Sequence, residues 1–188
     1  MISRKIKLKT RLWWKCQSFM TLIILMLLTL HSPYVIAGDG PWPAFTATQL
    51  NGEKVESNML IGQPTLLILT PSRDAAESSR AWVNALRSKI DQSKYRIRDV
   101  LAVNLPFFLS EEDVIDQAKK KVPKRYHDQT WILNSQVMET ALDVPADSEM
   151  AVIIVLDKNG NMAAKIHGAV TTARTKKIMD ALQSLPAD

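Results

Sequence analysis

Thr65-Leu66-Leu67-Ile68-Leu69-Thr70 (TLLILT) stands between Pro64 and Pro71, and its reading decides the fold. A near-continuous apolar run of this length, punctuated by proline on both sides, predicts a strand buried on both faces. Pro71-Ser72-Arg73 then leads into a helical pattern from about Asp74 to Ile90. Trp82, Val83, Leu86 and Ile90 recur there at helical spacing, and Arg80, Arg87 and Lys89 fall mostly on the water side.

The same alternation continues outward. Upstream, Ala44 to Leu50 reads as a short strand, Asn51-Gly52 as a hairpin turn and Lys54 to Glu56 as the return strand. Downstream, Ile97 to Leu105 is a second core strand. Ser110 caps a helix with Asp113 three residues on; acids open that helix, Lys119-Lys120-Lys121 close it, and Pro123 stops it. Between Gln129 and Val144 the pattern is weaker, with Trp131-Ile132-Leu133 as a short strand, and Pro145-Ala146-Asp147 reads as a loop. Ala151 to Leu156 (AVIIVL) is the third core strand. Asp157-Lys158-Asn159-Gly160 turns it into an antiparallel partner, Met162 to His167, and Gly168 ends that strand. Thr171 or Thr172 caps a last helix that buries Ile178, Met179, Leu182 and Leu185. Strands alternating with helices predict a three-layer α/β/α sandwich. Its sheet is mixed, with parallel core strands and a C-terminal antiparallel hairpin.

The first 37 residues read differently. Six basic side chains and no acid precede an apolar run, Phe19 to Leu30; His31-Ser32-Pro33 breaks it, and Val35-Ile36-Ala37 follows. This order is a secretory signal with cleavage expected after Ala37, which places residues 38–188 in the periplasm as one domain. The run is shorter than the roughly 20 residues a membrane span needs. Counted on to Ala37 it approaches that length, so the alternative is an uncleaved anchor in the inner membrane, facing the periplasm. Cys16 precedes the apolar run, whereas a lipidation cysteine follows it. The leader takes six of the 24 basic residues and none of the 19 acids, leaving 151 residues with 18 basic and 19 acidic side chains. The alkaline balance of the whole chain is therefore no argument for nucleic acid. The remaining domain has no cysteine, so packing alone must hold it in an oxidising space.

Pro43-Ala44-Phe45, Leu50-Asn51-Gly52-Glu53-Lys54-Val55 and Gly62-Gln63-Pro64-Thr65-Leu66-Leu67 resemble the opening of extracytoplasmic redoxins. Val155-Leu156-Asp157-Lys158-Asn159-Gly160 and Gly168-Ala169-Val170-Thr171 resemble their closing hairpin and last helix. Together these pieces cover nearly all of residues 41–185 and resemble the thioredoxin-like fold (redoxin, AhpC/TSA-like). Within it the chain most resembles the YtfJ family of exported bacterial proteins, best in VLDKNG…HGAVT and in Ser135 to Val144. That resemblance implies a fold and a compartment, and no reaction.

In thioredoxins the catalytic Cys-x-x-Cys stands where the first core strand enters the first helix. By that resemblance Asp74 and Glu77 occupy the two cysteine positions, give or take a residue. One reading is a carboxylate pair for metal or acid–base work. The other, which needs nothing else to be true, is a capping box with Asp74 as N-cap and Glu77 reaching back. Ala151 falls where the family places its cis-proline, and a cis bond before a non-proline costs about 2.5–4 kcal/mol, so a trans bond is expected. Thr70, Ser72 and Arg73 resemble the surroundings of a peroxidatic cysteine but enclose no sulfur.

Other constellations are weaker. His31 leaves with the signal, and His127 and His167 have no metal-ligand spacing to another His or Cys. No nucleophile elbow or phosphate-binding glycine loop is present. The basic cluster from Lys119 to Arg125 has two readings, a surface that attracts anions or membrane headgroups and a solvated helix end, and the second is favoured because the acids from Glu111 to Asp116 offset its charge. Phe107 and Phe108 follow a strand end, at the sheet edge where such folds place their sites; packing under the second helix is favoured over an exposed patch. Trp42 poses the same choice in the lead-in loop. The expectation is a protein with no catalytic residue, no cofactor and no metal, which binds a periplasmic protein or peptide. Its binding face would carry Asp74, Glu77, Phe107, Phe108 and Ala151. The alternatives are an enzyme of another class using Asp74, Glu77 or His167, and a redox-pathway protein that relies on a partner's thiols.

Overall fold

The computed structural model describes residues 42–105 and 110–186. The expected signal segment with Cys16, and Phe107 and Phe108, lie outside the described residues.

Seven strands form one mixed sheet. They are β1 (Thr46–Gln49), β2 (Lys54–Glu56), β3 (Thr65–Thr70), β4 (Arg96–Val103), β5 (Thr130–Asn134), β6 (Val152–Leu156) and β7 (Met162–His167). Their order across the sheet is β2-β1-β5-β4-β3-β6-β7, which puts β4 in the middle. β3, β4 and β5 run parallel, joined through Leu66–Ile97 and Val100–Trp131 among other pairs. The antiparallel part begins with β6, which pairs with β3 (Leu67 opposite Ile154) and then with β7. The β1–β2 hairpin extends the other edge, antiparallel to β5.

Alternation along each strand divides the core into two halves. Leu66, Ile68, Ile97, Ile153 and Val155 point to one face. There they meet α1 (Ala76–Leu86) through Trp82 and Leu86, and α4 (Thr172–Ser184) through Ile178 and Leu182. Leu67, Leu69, Val100, Trp131 and Ile154 point to the other face. They are covered by α3 (Ser135–Leu142), through Met138 and Leu142, and by Trp42, Phe45 and Leu60 of the lead-in and hairpin. Trp42 is therefore core, at 8% exposure, packed edge-on against Phe45. α2 (Glu111–Lys119) lies on the first face beside β5 and buries one residue, Ile115.

Several boundaries differ from the sequence reading. α1 begins at Ala76 rather than Asp74 and ends at Leu86, with Ile90 buried in the following turn. The weakly patterned region resolves into β5 and α3 with no loop between them. Asn134 ends the strand and also caps the helix, its side chain accepting from the Gln136 N–H at 2.8 Å. Thr171 caps α4, accepting from the Arg174 N–H at 3.2 Å. Gly168, at φ 116°, lets the chain leave β7, and its carbonyl accepts the Trp82 indole N–H at 2.8 Å. No helix among the described residues is long and apolar enough to cross a membrane.

Candidate functional site

The end of β3 and the start of α1 form a junction closed by hydroxyls. Thr70 Oγ1 donates to Ser79 Oγ at 2.8 Å, and Ser79 Oγ donates to the Ala75 carbonyl at 3.0 Å. Ser72 Oγ accepts from the Ala75 N–H at 3.2 Å and donates to the Ser148 carbonyl at 2.7 Å. This network explains the late start of α1. Ser72 takes the first free N–H, Ala75 becomes the N-cap without a side-chain cap bond, and the Asp74–Glu77 capping box does not form. Asp74 and Glu77 are both exposed and make no side-chain hydrogen bond or ion pair among the described residues.

Ala151 lies next to this junction but turns inward. It is fully buried, its N–H donates to Ser78 Oγ at 3.2 Å, and its carbonyl accepts from the Gly168 N–H at 3.1 Å. No cis peptide occurs among the described residues. The backbone groups that a redoxin would offer to a peptide here are used inside the fold. Exposed His167 sits at the end of β7 with Nε2 2.7 Å from Ser148 Oγ. Ser148 Oγ also lies 2.9 Å from the Met150 carbonyl, and its single proton can serve only one of the two acceptors at a time. His127 is occupied structurally, with Nε2 2.9 Å from the Val122 carbonyl. No group of three or more His, Cys, Asp or Glu side chains suited to a metal ion exists among the described residues.

From the junction a cleft of about 1170 Å³ runs along the sheet between α1 and α2. Its floor is one face of the central strands: Ile68 of β3, Asp99, Leu101 and Val103 of β4, and Thr130 and Ile132 of β5. α1 contributes Ala76, Arg80, Val83 and Arg87 to one wall. α2 and its continuation contribute Val114, Ala118 and Lys121 to the other. Leu101 and Val103 are only half-buried although β4 is the middle strand of seven. The reason is placement: α1 and α4 carry their apolar faces mainly over β3, β6 and β7, with α1 reaching β4 at Ile97, and α2 anchors beside β5 through Ile115, so Leu101 and Val103 are only partly covered between them.

A partly buried ion pair sits in the cleft. Arg87 Nη2 is 2.6 Å from Asp99 Oδ2, Arg87 Nη1 donates to Gln129 Oε1 at 3.1 Å, and the guanidinium stacks 4.1 Å from the Tyr126 ring centre. Arg87 Nε and Asp99 Oδ1 are buried with no partner among the described residues. Burial pushes the Asp99 carboxyl above the usual carboxylate range, and the Arg87 charge pulls the other way. Arg73, Arg80, Lys121 and Arg125 also line the cleft, and Asp99 is the one acid among its described lining residues. Arg125 stacks on the same Tyr126 ring at 4.9 Å. No ion pair engages any of these four cations among the described residues.

No protein-family model matches the chain, and no curated protein matches it by sequence. Solved structures match it over most of its length. A DsbF homologue from Corynebacterium diphtheriae is 16% identical, with TM-score 0.55 over 83% of this chain and 98% of its own. The exposed lipoprotein thioredoxin Etrx1 from Streptococcus pneumoniae is 14% identical, with TM-score 0.53 over 76% and 99%. The thioredoxin domain of a thiol-disulfide oxidoreductase from Bacteroides vulgatus is 18% identical, with TM-score 0.50 over 79% and 99%. The fold is thioredoxin-like. The likeness is one of fold, and the chain's single cysteine is Cys16.

Of the residues expected from sequence, Asp74 and Glu77 stand exposed together at the junction, while Ala151 is sealed beneath it. The cleft was not anticipated. Lys121 and Arg125 belong to the basic cluster singled out in the sequence, whereas Arg73, Arg80 and Arg87 lie in another segment and read there as ordinary charges. A thin apolar stripe in Glu111–Lys119, with few residues to anchor the helix, is the one signal that α2 would leave part of the sheet open.

Proposed function

We propose that this is a non-catalytic binding protein of the periplasm, of the YtfJ type, which uses the thioredoxin-like scaffold without its chemistry. One observation carries the reading. Where thiol enzymes hold Cys-x-x-Cys, this chain has hydroxyls that satisfy one another and two unengaged carboxylates, Asp74 and Glu77. Such a junction offers recognition and no nucleophilic sulfur. The partner is a periplasmic protein or peptide that meets the junction face, with Phe107 and Phe108 as its further expected contacts. The exported location rests on the leader, and the exposed lipoprotein among the structural neighbours agrees with it.

The test is crosslinking in the intact periplasm, with mass spectrometry of what co-purifies. A dominant partner that is lost with Asp74→Ala or Phe107→Ala is the expected result. Reduction of insulin with dithiothreitol, or consumption of peroxide above a buffer control, would sink the reading, including its variant in which a partner lends its thiols.

A second reading is favoured by the 2.7 Å contact between Ser148 Oγ and His167 Nε2. A hydroxyl held by an imidazole is the core of a hydrolytic nucleophile–base pair. No carboxylate orients His167 among the hydrogen bonds of the described residues, which places this reading second. Ester hydrolysis by the purified protein that disappears in Ser148→Ala would promote it.

A further inference from the structure

We infer that the cleft between α1 and α2 binds an amphipathic organic anion, with an apolar body on the floor of β4 and an acidic head against the cationic walls. This inference rests on the binding reading above, and it names a ligand for a surface distinct from the Asp74–Glu77 face. The floor supplies the first half of the argument. Ile68, Leu101, Val103 and Ile132 are the apolar residues of the floor, with Val83 and Ala118 on the walls beside them. Ligand pockets of roughly 300–1,000 Å³ take drug-sized molecules, so a cleft of about 1170 Å³ holds one with room to spare. Leaving Leu101 and Val103 partly exposed on the middle strand of a sheet forfeits burial that the fold achieves on β3 and β6.

Charge supplies the second half. The Arg87–Asp99 pair neutralises itself, which leaves Arg73, Arg80, Lys121 and Arg125 without a facing carboxylate. This is not general basicity, since residues 38–188 carry 18 basic and 19 acidic side chains. Of the four acids of α2, none lines the cleft and three are engaged elsewhere. Glu111 accepts from Thr48 Oγ1, Asp113 accepts from Ser110, and Asp116 pairs with Lys119 at 3.3 Å. Arg87 and Arg125 share the Tyr126 ring, and only Arg87 has an anionic partner. Cations gathered in a cleft with low-dielectric walls focus a positive potential there. A compact head with two or more oxygens, carboxylate or phosphate, matches guanidinium geometry. A cationic or neutral head does not.

The experiment is a titration of the folded protein with single-chain probes below their micelle-forming concentrations. The probes are dodecanoate, dodecyl phosphate, dodecanol and dodecyltrimethylammonium, with inorganic phosphate as a head without a body. Saturable binding of dodecanoate or dodecyl phosphate is expected, at least tenfold tighter than dodecanol, the cationic probe or inorganic phosphate. The two anionic probes together report which head the cleft prefers. The double variant Arg80→Glu with Lys121→Glu should weaken anion binding at least tenfold, and added salt should weaken it in the wild type. Both residues are exposed, so the variant keeps its fold. Ala118→Trp, which fills the cleft without changing charge, should weaken all the chain-bearing probes alike. Lys176→Ala, on α4 and outside the cleft, should bind the anion as the wild type does. Equal binding of anionic and cationic probes, or no saturable binding of either anion by folded protein, overturns the inference. If crosslinking still captures a partner through Asp74 in that case, the binding reading stands and only the ligand falls.

Discussion

Arg87 reaches from the end of α1 to Asp99 on the central strand, and the two side chains leave Nε and Oδ1 unpartnered. A pair this far buried gives little net stability while intact, but removing Arg87 leaves the Asp99 carboxylate without its hydrogen-bonded partner, with only the charge of Arg98 acting on it. Burial already raises the Asp99 pKa above its unfolded value. The folded state therefore holds that proton more tightly than the unfolded chain. The Asp99 contribution is fullest below the unfolded carboxylate range and declines as pH rises through the folded value. Arg87 limits the decline, so Arg87→Ala should cost about 3 kcal/mol at neutral pH and clearly less at acid pH, where protonation removes the Asp99 charge. Urea unfolding of wild type and variant at both pH values checks this. Equal losses at the two pH values would show that the pair is not the source. Nothing in the local sequence couples these residues, since each is one charge on an otherwise unremarkable helix or strand.

Among the helices, two N-termini share one sequence pattern and differ in structure. Ser110 and Asp113 form a complete capping box at α2, with the Asp113 N–H donating to Ser110 Oγ at 3.1 Å and Ser110 N–H to Asp113 Oδ2 at 3.1 Å. Asp74 and Glu77 have the same spacing, but Ser72 claims the first N–H and ties the turn to Ser148. Ser110→Ala should therefore destabilise the protein by about 1 kcal/mol. Asp74→Ala should stay within about 0.5 kcal/mol of the wild type. Thermal melts of the two variants decide it; a cost for Asp74→Ala comparable to that of Ser110→Ala would restore the capping box at α1. The distinction was not legible beforehand, because the competing hydrogen bond from Ser72 ends on a carbonyl 76 positions away in the chain.

For the molecule as a whole, stability comes from two apolar layers on one sheet. Trp82 joins one of these layers to the β7 exit, fully buried and bonded to the Gly168 carbonyl. Trp82→Ala should cost about 3–5 kcal/mol by denaturant titration, which for a domain of this size approaches loss of the fold. With a single cysteine in the chain there is no intrachain disulfide to break, so the melting temperature should not change on adding dithiothreitol. A reductant-dependent melt would mean that stability depends on a covalent link between molecules.

The strand–helix alternation, the core runs TLLILT and AVIIVL, the closing hairpin and the missing thiol were all determined by the sequence itself. Each depends on local periodicity, on proline and glycine punctuation, or on composition, and none requires knowing what packs against what. Only the tertiary structure decided that β6 runs antiparallel to β3, that Ala151 is sealed, and that α1 and α2 part above β4. These outcomes follow from how helices of unequal apolar width share one face of a sheet. That is a competition among elements distant in the chain, so the cationic cleft it leaves open appears in no single stretch of residues.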